Sequence, residues 1–289
     1  MKFGLRYCNT GQYVDPANAI QLLEAGEEAG FESAWTVEHT VVPTGYESSY
    51  PYSADGKMAN GQNDIPLPDP LIWMAYAAAC TTKIKLATGI LILPQHSPVI
   101  TAKQIATLDY MSNGRVLLGI GVGWLREEFE AIGVPFDDRG RRTDEYVAVM
   151  RELWSADAPR FHGEFINFDG AICRPQPKNG AVPIIVGGHS KAAARRAGRL
   201  GDGFFPARNA SPEMIALVRQ TAEEHGRDPD AIEITTGLPD DLDTIPELAA
   251  VGVDRLLVPV TSMAGLQTVI SSPEDALNWR DLVEKYADT

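Results

Sequence analysis

Positive charge is scarce in this chain. Of its 289 residues, 25 are Lys or Arg and 39 are Asp or Glu, a formal net charge of −14. A nucleic-acid backbone needs a basic face, so that class of partner is excluded, while a local basic pocket for an anionic ligand is not. Cysteine is scarce as well. Cys8, Cys80 and Cys173 are odd in number and widely spaced, and no CxxC occurs. Neither a disulfide framework nor a zinc knuckle fits that usage, and a reducing cytoplasm does. No apolar run approaches ~20 residues, so no membrane span is expected. The opening MKFGLRYC lacks an apolar leader core and a small-residue cleavage site, which also favours the cytoplasm. HExxH, an HxH pair after the first strand and GxSxG are all missing, so neither a metal hydrolase nor a serine nucleophile is supported and no metal site is expected. GIGVGW (119–124) has the spacing GxGxG instead of GxGxxG, and no acidic residue ends a strand ~20 residues later, so it does not mark a dinucleotide fold. Its glycines allow a sharp turn or the close approach of a ligand to the backbone.

What is present is an alternation. Strand-like segments run over 2–7, 32–37, 83–93, 115–121, 182–188, 202–207, 231–238 and 254–260. Helix signals separate them. Asp15-Pro16 and Asp69-Pro70 each supply an N-cap followed by a proline at the first helical position, and helical spacing recurs to Gly30, Cys80, Met111, Trp154, Leu200 and Gly226. A single helix is expected over 273–286. Apolar strands of this kind belong to a parallel sheet covered on both faces. Eight strand–helix units in ~250–300 residues predict a TIM (β/α)8 barrel, here one domain over 1–289, with a doubly wound open sheet as the runner-up. Two stretches break the alternation. Residues 42–69 are rich in Gly, Pro, Ser and Tyr with no period, which reads as a lid. Residues 157–180 read as an inserted hairpin with a Pro-rich return. Both insertions are expected to shape a substrate site.

Barrel chemistry sits where the strands end. The candidates there are Cys8, Asn9 and Thr10; Glu38 and His39; Gln95 and His96; Gly121 to Trp124; Gly187 to Ser190; and Pro206, Ala207 and Arg208. Histidine suits proton transfer near neutral pH, so His39 stands out, with Glu38 beside it. Strand alternation would turn those two side chains apart. A rim histidine that only holds a loop is the plainer alternative. VGGHS (186–190) runs from a strand through paired glycines into a helix start, a geometry that binds anions. A simple serine cap is the alternative there.

Read together, WTVEH (35–39), LATGILILPQHSPVITAKQIATLDYMSNGRVLLGIGVGWLREEF (86–129), RGRRTDEY (139–146) and PIIVGGHSKAAARRAGRLGDGFF (183–205) make the chain resemble the luciferase-like flavin and deazaflavin oxidoreductases, closest to their F420-dependent branch. That resemblance covers nearly the whole chain. It implies a barrel with insertions that forms a homodimer and binds F420, or alternatively FMN, at the mouth. It implies a non-proline cis peptide in a bulge of the third strand, at Thr88, Gly89 and Ile90, behind the cofactor ring. Val122 and Gly123 would line the ring, and Gly187, Gly188, His189 and Ser190 would hold the phosphate. The implied reaction is hydride transfer to or from a small organic substrate, with His39 as general acid/base and Glu38 in support. Tyr46 and Trp124 would meet the substrate, and the 42–69 segment would close over it. The sugar-phosphate branch carries an acid where this chain has Trp124, which points to an aromatic or apolar substrate. A reduced-FMN monooxygenase using oxygen is the alternative enzyme, and a cofactor-binding protein without turnover is the alternative outside enzymes.

Overall fold

The computed structural model describes residues 1–53, 55–58, 62–206, 209–263 and 266–287. Helix starts follow the local chemistry. Asp15 accepts hydrogen bonds from the Ala17 and Asn18 amides ahead of α1 (Pro16–Ala29), which ends at Gly30 with φ +87°. Asp69 caps α2 (Pro70–Cys80) through the Ile72 amide. β1 (Lys2–Arg6), ahead of α1, and β2 (Ser33–Thr36), after it, pair in parallel.

The third strand comes in two halves, β3 (Lys85–Thr88) and β4 (Leu91–Ile92), separated by the Gly89–Ile90 peptide, which is cis. Both halves pair with β5 (Val116–Gly121). Leu86 faces Val116 and Leu91 faces Ile120, so five steps along the third strand oppose four along its neighbour. That extra residue is a bulge. The ring continues through β8 (Ile184–Gly187), β9 (Gly203–Phe205), β10 (Glu233–Gly237) and β11 (Arg255–Pro259), which pairs back on β1. The result is a closed parallel eight-stranded barrel, the expected TIM architecture. Helices α3 (Pro98–Met111), α4 (Arg126–Ala131), α5 (Arg139–Ser155), α6 (Lys191–Leu200), α7 (Pro212–Glu224) and α8 (Ile245–Ala250) fall between strands. The terminal helix expected over 273–286 is instead two short ones, α9 (Pro273–Leu277) and α10 (Arg280–Lys285). At the break, Trp279 packs edge-on and tilted against Phe3 and Phe31.

Two apolar layers hold the barrel. Inside it, Trp35, Ala87, Leu117, Ile185, Phe205 and Leu257 form a plug. Gly4 makes room for that plug: a Cβ there would come within 2.8 Å of Leu257 and 3.0 Å of the Trp35 indole nitrogen. Outside it, a larger cluster including Leu22, Met74, Ile105, Met150 and Val218 fills the space between strands and helices. Below the plug, the strand starts carry charge. The buried Arg255 guanidinium bonds Glu32 at 2.9 and 3.1 Å, Glu233 at 2.9 Å and the Thr235 hydroxyl at 2.9 Å. Lys85 also pairs with Glu32, and Lys2 with Glu233.

The second insertion is seated on α5. It joins the C-terminal end of α5 to the start of β8, and its hairpin, β6 (Arg160–His162) with β7 (Asn167–Asp169), folds back along α5. Glu145 of α5 accepts from the turn amides of Glu164, Phe165 and Ile166 at 2.8, 2.9 and 2.7 Å. This hairpin braces a helix, a role the sequence does not announce. No helix among the described residues is long and apolar enough to cross a membrane.

Candidate active site

The site begins where β2 stops. Its backbone is handed to the first strand's loop: the Val37 amide donates to Asn9 Oδ1 at 2.8 Å, and Asn9 Nδ2 donates to the Val37 and Pro68 carbonyls at 2.8 and 3.1 Å. Glu38 and His39 then turn to different partners. The Glu38 carboxylate is buried and accepts from the Ile92 amide at 2.5 Å and from His96 Nε2 at 2.8 Å. His39 Nδ1 lies 3.0 Å from Glu128 Oε2. Glu128, in the first turn of α4, is fully buried, and its other oxygen accepts from the Thr40 and Val41 amides at 2.7 and 3.3 Å. Two carboxylate–imidazole pairs thus stand side by side at the mouth.

With a carboxylate oxygen as acceptor, the hydrogen of the His39–Glu128 contact sits on Nδ1, and Nε2 is the nitrogen not engaged by Glu128. His96 has its pKa raised. Burial pulls it down, but the hydrogen bond to Glu38 and the charges of Glu38, Asp69 and Glu128 outweigh that. Cys8, on the same rim, is fully buried, and burial pushes its thiol up to about 12 despite a hydrogen bond from the Trp35 backbone. It is no nucleophile at neutral pH.

The aromatic candidates gather over His39. Its ring meets Trp124 edge-on at 6.0 Å and 82°. Trp124 in turn meets Tyr46 at 5.5 Å and Tyr50 at 5.0 Å, and Tyr50 meets Tyr52 at 5.2 Å. The described part of 42–69 has neither long helix nor strand, yet it is seated. Glu127 Oε1 accepts from the Glu47 and Ser48 amides at 2.6 and 3.0 Å, and the Tyr46 hydroxyl accepts from the Met58 amide at 2.9 Å. Neighbouring residues of α4 therefore do separate work: Glu127 holds the loop and Glu128 holds the histidine.

Across the mouth, Ile90 fills room made by glycines. A Cβ at Gly121 would lie 2.1 Å from the Ile90 side chain, and one at Gly187 would lie 2.6 Å from it. Thr88 is buried with its hydroxyl committed to the Gly119 carbonyl at 2.6 Å. Val122 is half-buried. Gly123, at φ +81°, leaves space that Phe129 and Ile92 already occupy, at 2.7 and 2.8 Å from a Cβ, so its conformation and packing suffice to require glycine. Gly188, at φ +121°, leads through exposed His189 to Ser190, which caps α6 through the Ala193 amide at 3.2 Å. The remaining first-turn amides of α6 have no partner inside the helix. Gln95 adds an enclosed side-chain amide with no partner on oxygen or nitrogen. Ala207 and Arg208, expected on this rim, lie outside the described residues. Sequence reasoning missed Glu128 as the partner of His39. The available signal was the acidic pair Glu127-Glu128 opening a helix directly after the fourth strand.

Residues 3–242 match the luciferase-like monooxygenase family. The chain belongs to that family. Among its relatives is an uncharacterized protein of Mycobacterium tuberculosis, 34% identical over 187 residues, and the chain spans 65% of that relative's length, with 65% of its own residues aligned. The F420-dependent glucose-6-phosphate dehydrogenase of Mycolicibacterium gilvum is 29% identical over 98% of this chain and 80% of its own. The FMNH(2)-dependent dimethylsulfone monooxygenase of Pseudomonas fluorescens is 38% identical over 48% of this chain and 39% of its own. In fold, this luciferase-like chain matches the coenzyme F420-dependent tetrahydromethanopterin reductase of Methanopyrus kandleri with a TM-score of 0.74, 17% identity and 99% coverage of both chains.

Proposed function

We propose that this protein is an F420-dependent oxidoreductase that moves a hydride between the deazaflavin and a small organic substrate, with His39 as the general acid/base. The observation that carries the reading is the His39–Glu128 pair at the barrel mouth, which leaves Nε2 as the working nitrogen. The residues suit the cofactor. A half-buried Ile90 cushioned by Gly121 and Gly187 offers an apolar seat for a planar ring, and the orphan Gln95 amide offers unmet hydrogen bonds for a ring edge. Gly187 to Ser190 and the start of α6 suit a phosphate. Bound, the deazaflavin would supply the hydride donor or acceptor. The protein's part is to hold it, exclude water and move one proton at His39 Nε2. Glu128 fixes the imidazole, while the Glu38–His96 pair supports the adjacent backbone. Tyr46 and Trp124 would flank the substrate.

The relative spanning nearly the whole chain favours F420, and the dimethylsulfone monooxygenase keeps a reduced-FMN oxygenase as the second reading. Titrating the apoprotein with each cofactor separates them. We expect tight F420 binding and weak FMN binding, and the reverse order overturns the assignment. The three cysteines are free thiols, which suits the cytoplasm. Ile72, Tyr76, Ile100 and Met111, exposed on α2 and α3, form an apolar face that suits a homodimer. Ile72→Glu is expected to yield a monomer by light scattering.

A further inference from the structure

Among the described residues, a charge at the mouth has no counterpart. Arg6 ends β1, two residues beyond the inward-facing Gly4, so its side chain points into the barrel above the plug. It is only 7% exposed. Its guanidinium carbon lies 4.6 Å from the Tyr7 ring centre and 5.0 Å from that of Phe205, on a strand well across the mouth. Its Nε is enclosed with no partner, and among the described residues no hydrogen bond or ion pair reaches the guanidinium. Tyr52 of the 42–69 segment lies near enough to feel it: burial raises that phenol's pKa and the Arg6 charge draws it back. A buried cation without a counter-ion is costly, whereas a planar guanidinium between aromatic rings is well formed to receive a planar anion.

We propose that Arg6 is the recognition point for a carboxylate on the substrate. This rests on the reading of the mouth as the active site and names the class of molecule it takes: a small monoanionic acid with an aromatic or otherwise flat body. The flat body follows from Phe205, Tyr50, Tyr52 and Trp124. The single charge follows from Glu38 and Glu128 and from the chain's net charge of −14, which oppose a dianion more than a monoanion. The carboxylate would meet the free edge of the guanidinium, a pairing that a lysine ammonium or a neutral amide does not reproduce.

The test uses benzoate, its neutral isostere benzamide and the dianion phenyl phosphate as probes, read by tryptophan fluorescence with and without cofactor. Wild-type protein is expected to bind benzoate at least about tenfold more tightly than either alternative, and Arg6→Gln to bring benzoate to the benzamide level. Equal binding of benzoate and benzamide to wild type, or benzoate affinity unchanged in Arg6→Gln, overturns the proposal. So does phenyl phosphate binding most tightly. Should Arg6→Gln not fold, Arg6→Lys carries the test: a selective loss of benzoate supports the proposal, and no change overturns it. F420 and FMN titrations of the same proteins keep the two readings apart. If neither cofactor binds wild type, the function proposed above fails while the cofactor-free benzoate arm still decides Arg6. If Arg6→Gln weakens cofactor binding and spares benzoate, Arg6 serves the cofactor and the proposal falls.

Discussion

The two ends of the barrel handle buried charge in opposite ways. At the strand starts, Arg255 is surrounded by Glu32, Glu233 and Thr235, and the lysines Lys2 and Lys85 complete the set. The Arg255 guanidinium, its pKa pulled down by burial but raised on balance by Glu32 and Glu233, stays charged. At the strand ends, the buried carboxylates Glu38 and Glu128 are paired with imidazoles, whose charge depends on pH, and Arg6 is left unmet. The lower network is built to stay as it is. On the function proposed above, the upper one exchanges protons and accepts a ligand. A polar network's partners, more than its burial, tell a structural cluster from a working one.

The sharpest way to break this contrast is at His39. His39→Gln is expected to lower kcat by about 10²–10⁴-fold, with cofactor affinity and melting temperature nearly unchanged. If turnover persists, the upper network is structural after all. At the other end, Arg255→Met strands two carboxylates and is expected to cost about 3–5 kcal/mol in urea unfolding, while sparing cofactor affinity. The ends should also part company with pH. Burial raises the Glu32 pKa, but the Arg255 charge and hydrogen bonds outweigh it and bring it to about 2 from 4.5. A lowered carboxylate pKa stabilises above its unfolded value, so this contribution is whole above pH 4.5 and is lost as pH falls towards about 2. The raised His96 pKa works in the opposite sense: its contribution is whole below 6.5 and is lost as pH rises through the folded value. Thermal unfolding across pH should show Glu32→Gln flattening the acid limb and His96→Asn flattening the limb above 6.5. The smallest effect expected is from Glu127→Ala, which frees the amides of Glu47 and Ser48. It should cost about 1 kcal/mol or less in stability but raise KM.

Much of the barrel was legible because its signals are local. Asp15-Pro16 and Asp69-Pro70 announce helices within a few residues, and the strand runs need only their own side chains to be recognised. The site's pairings were not legible, because they join distant positions. His39 meets a residue 89 positions on, and Glu38 meets one 58 positions on. Strand alternation turned Glu38 and His39 apart, but β2 ends at Thr36, before either of them, so period alone could not say where each would land. The third strand reads as one run and folds as two because the bulge depends on register with β5, which a single strand does not carry. The 157–180 insertion showed its hairpin but not its address, since the bonds that seat it join its turn to Glu145, about 20 residues earlier.

Asn9 is a joint. By gripping Val37 and Pro68 at once, one side chain fixes the distance between the two points where the second loop leaves and rejoins the barrel. The closing of that ring is settled before the loop's own composition matters. Lengthening such a closed loop is cheap, about 0.6 kcal/mol for each doubling. The chain can thus redraw what covers its mouth, residue by residue or by whole insertions, without renegotiating the barrel beneath.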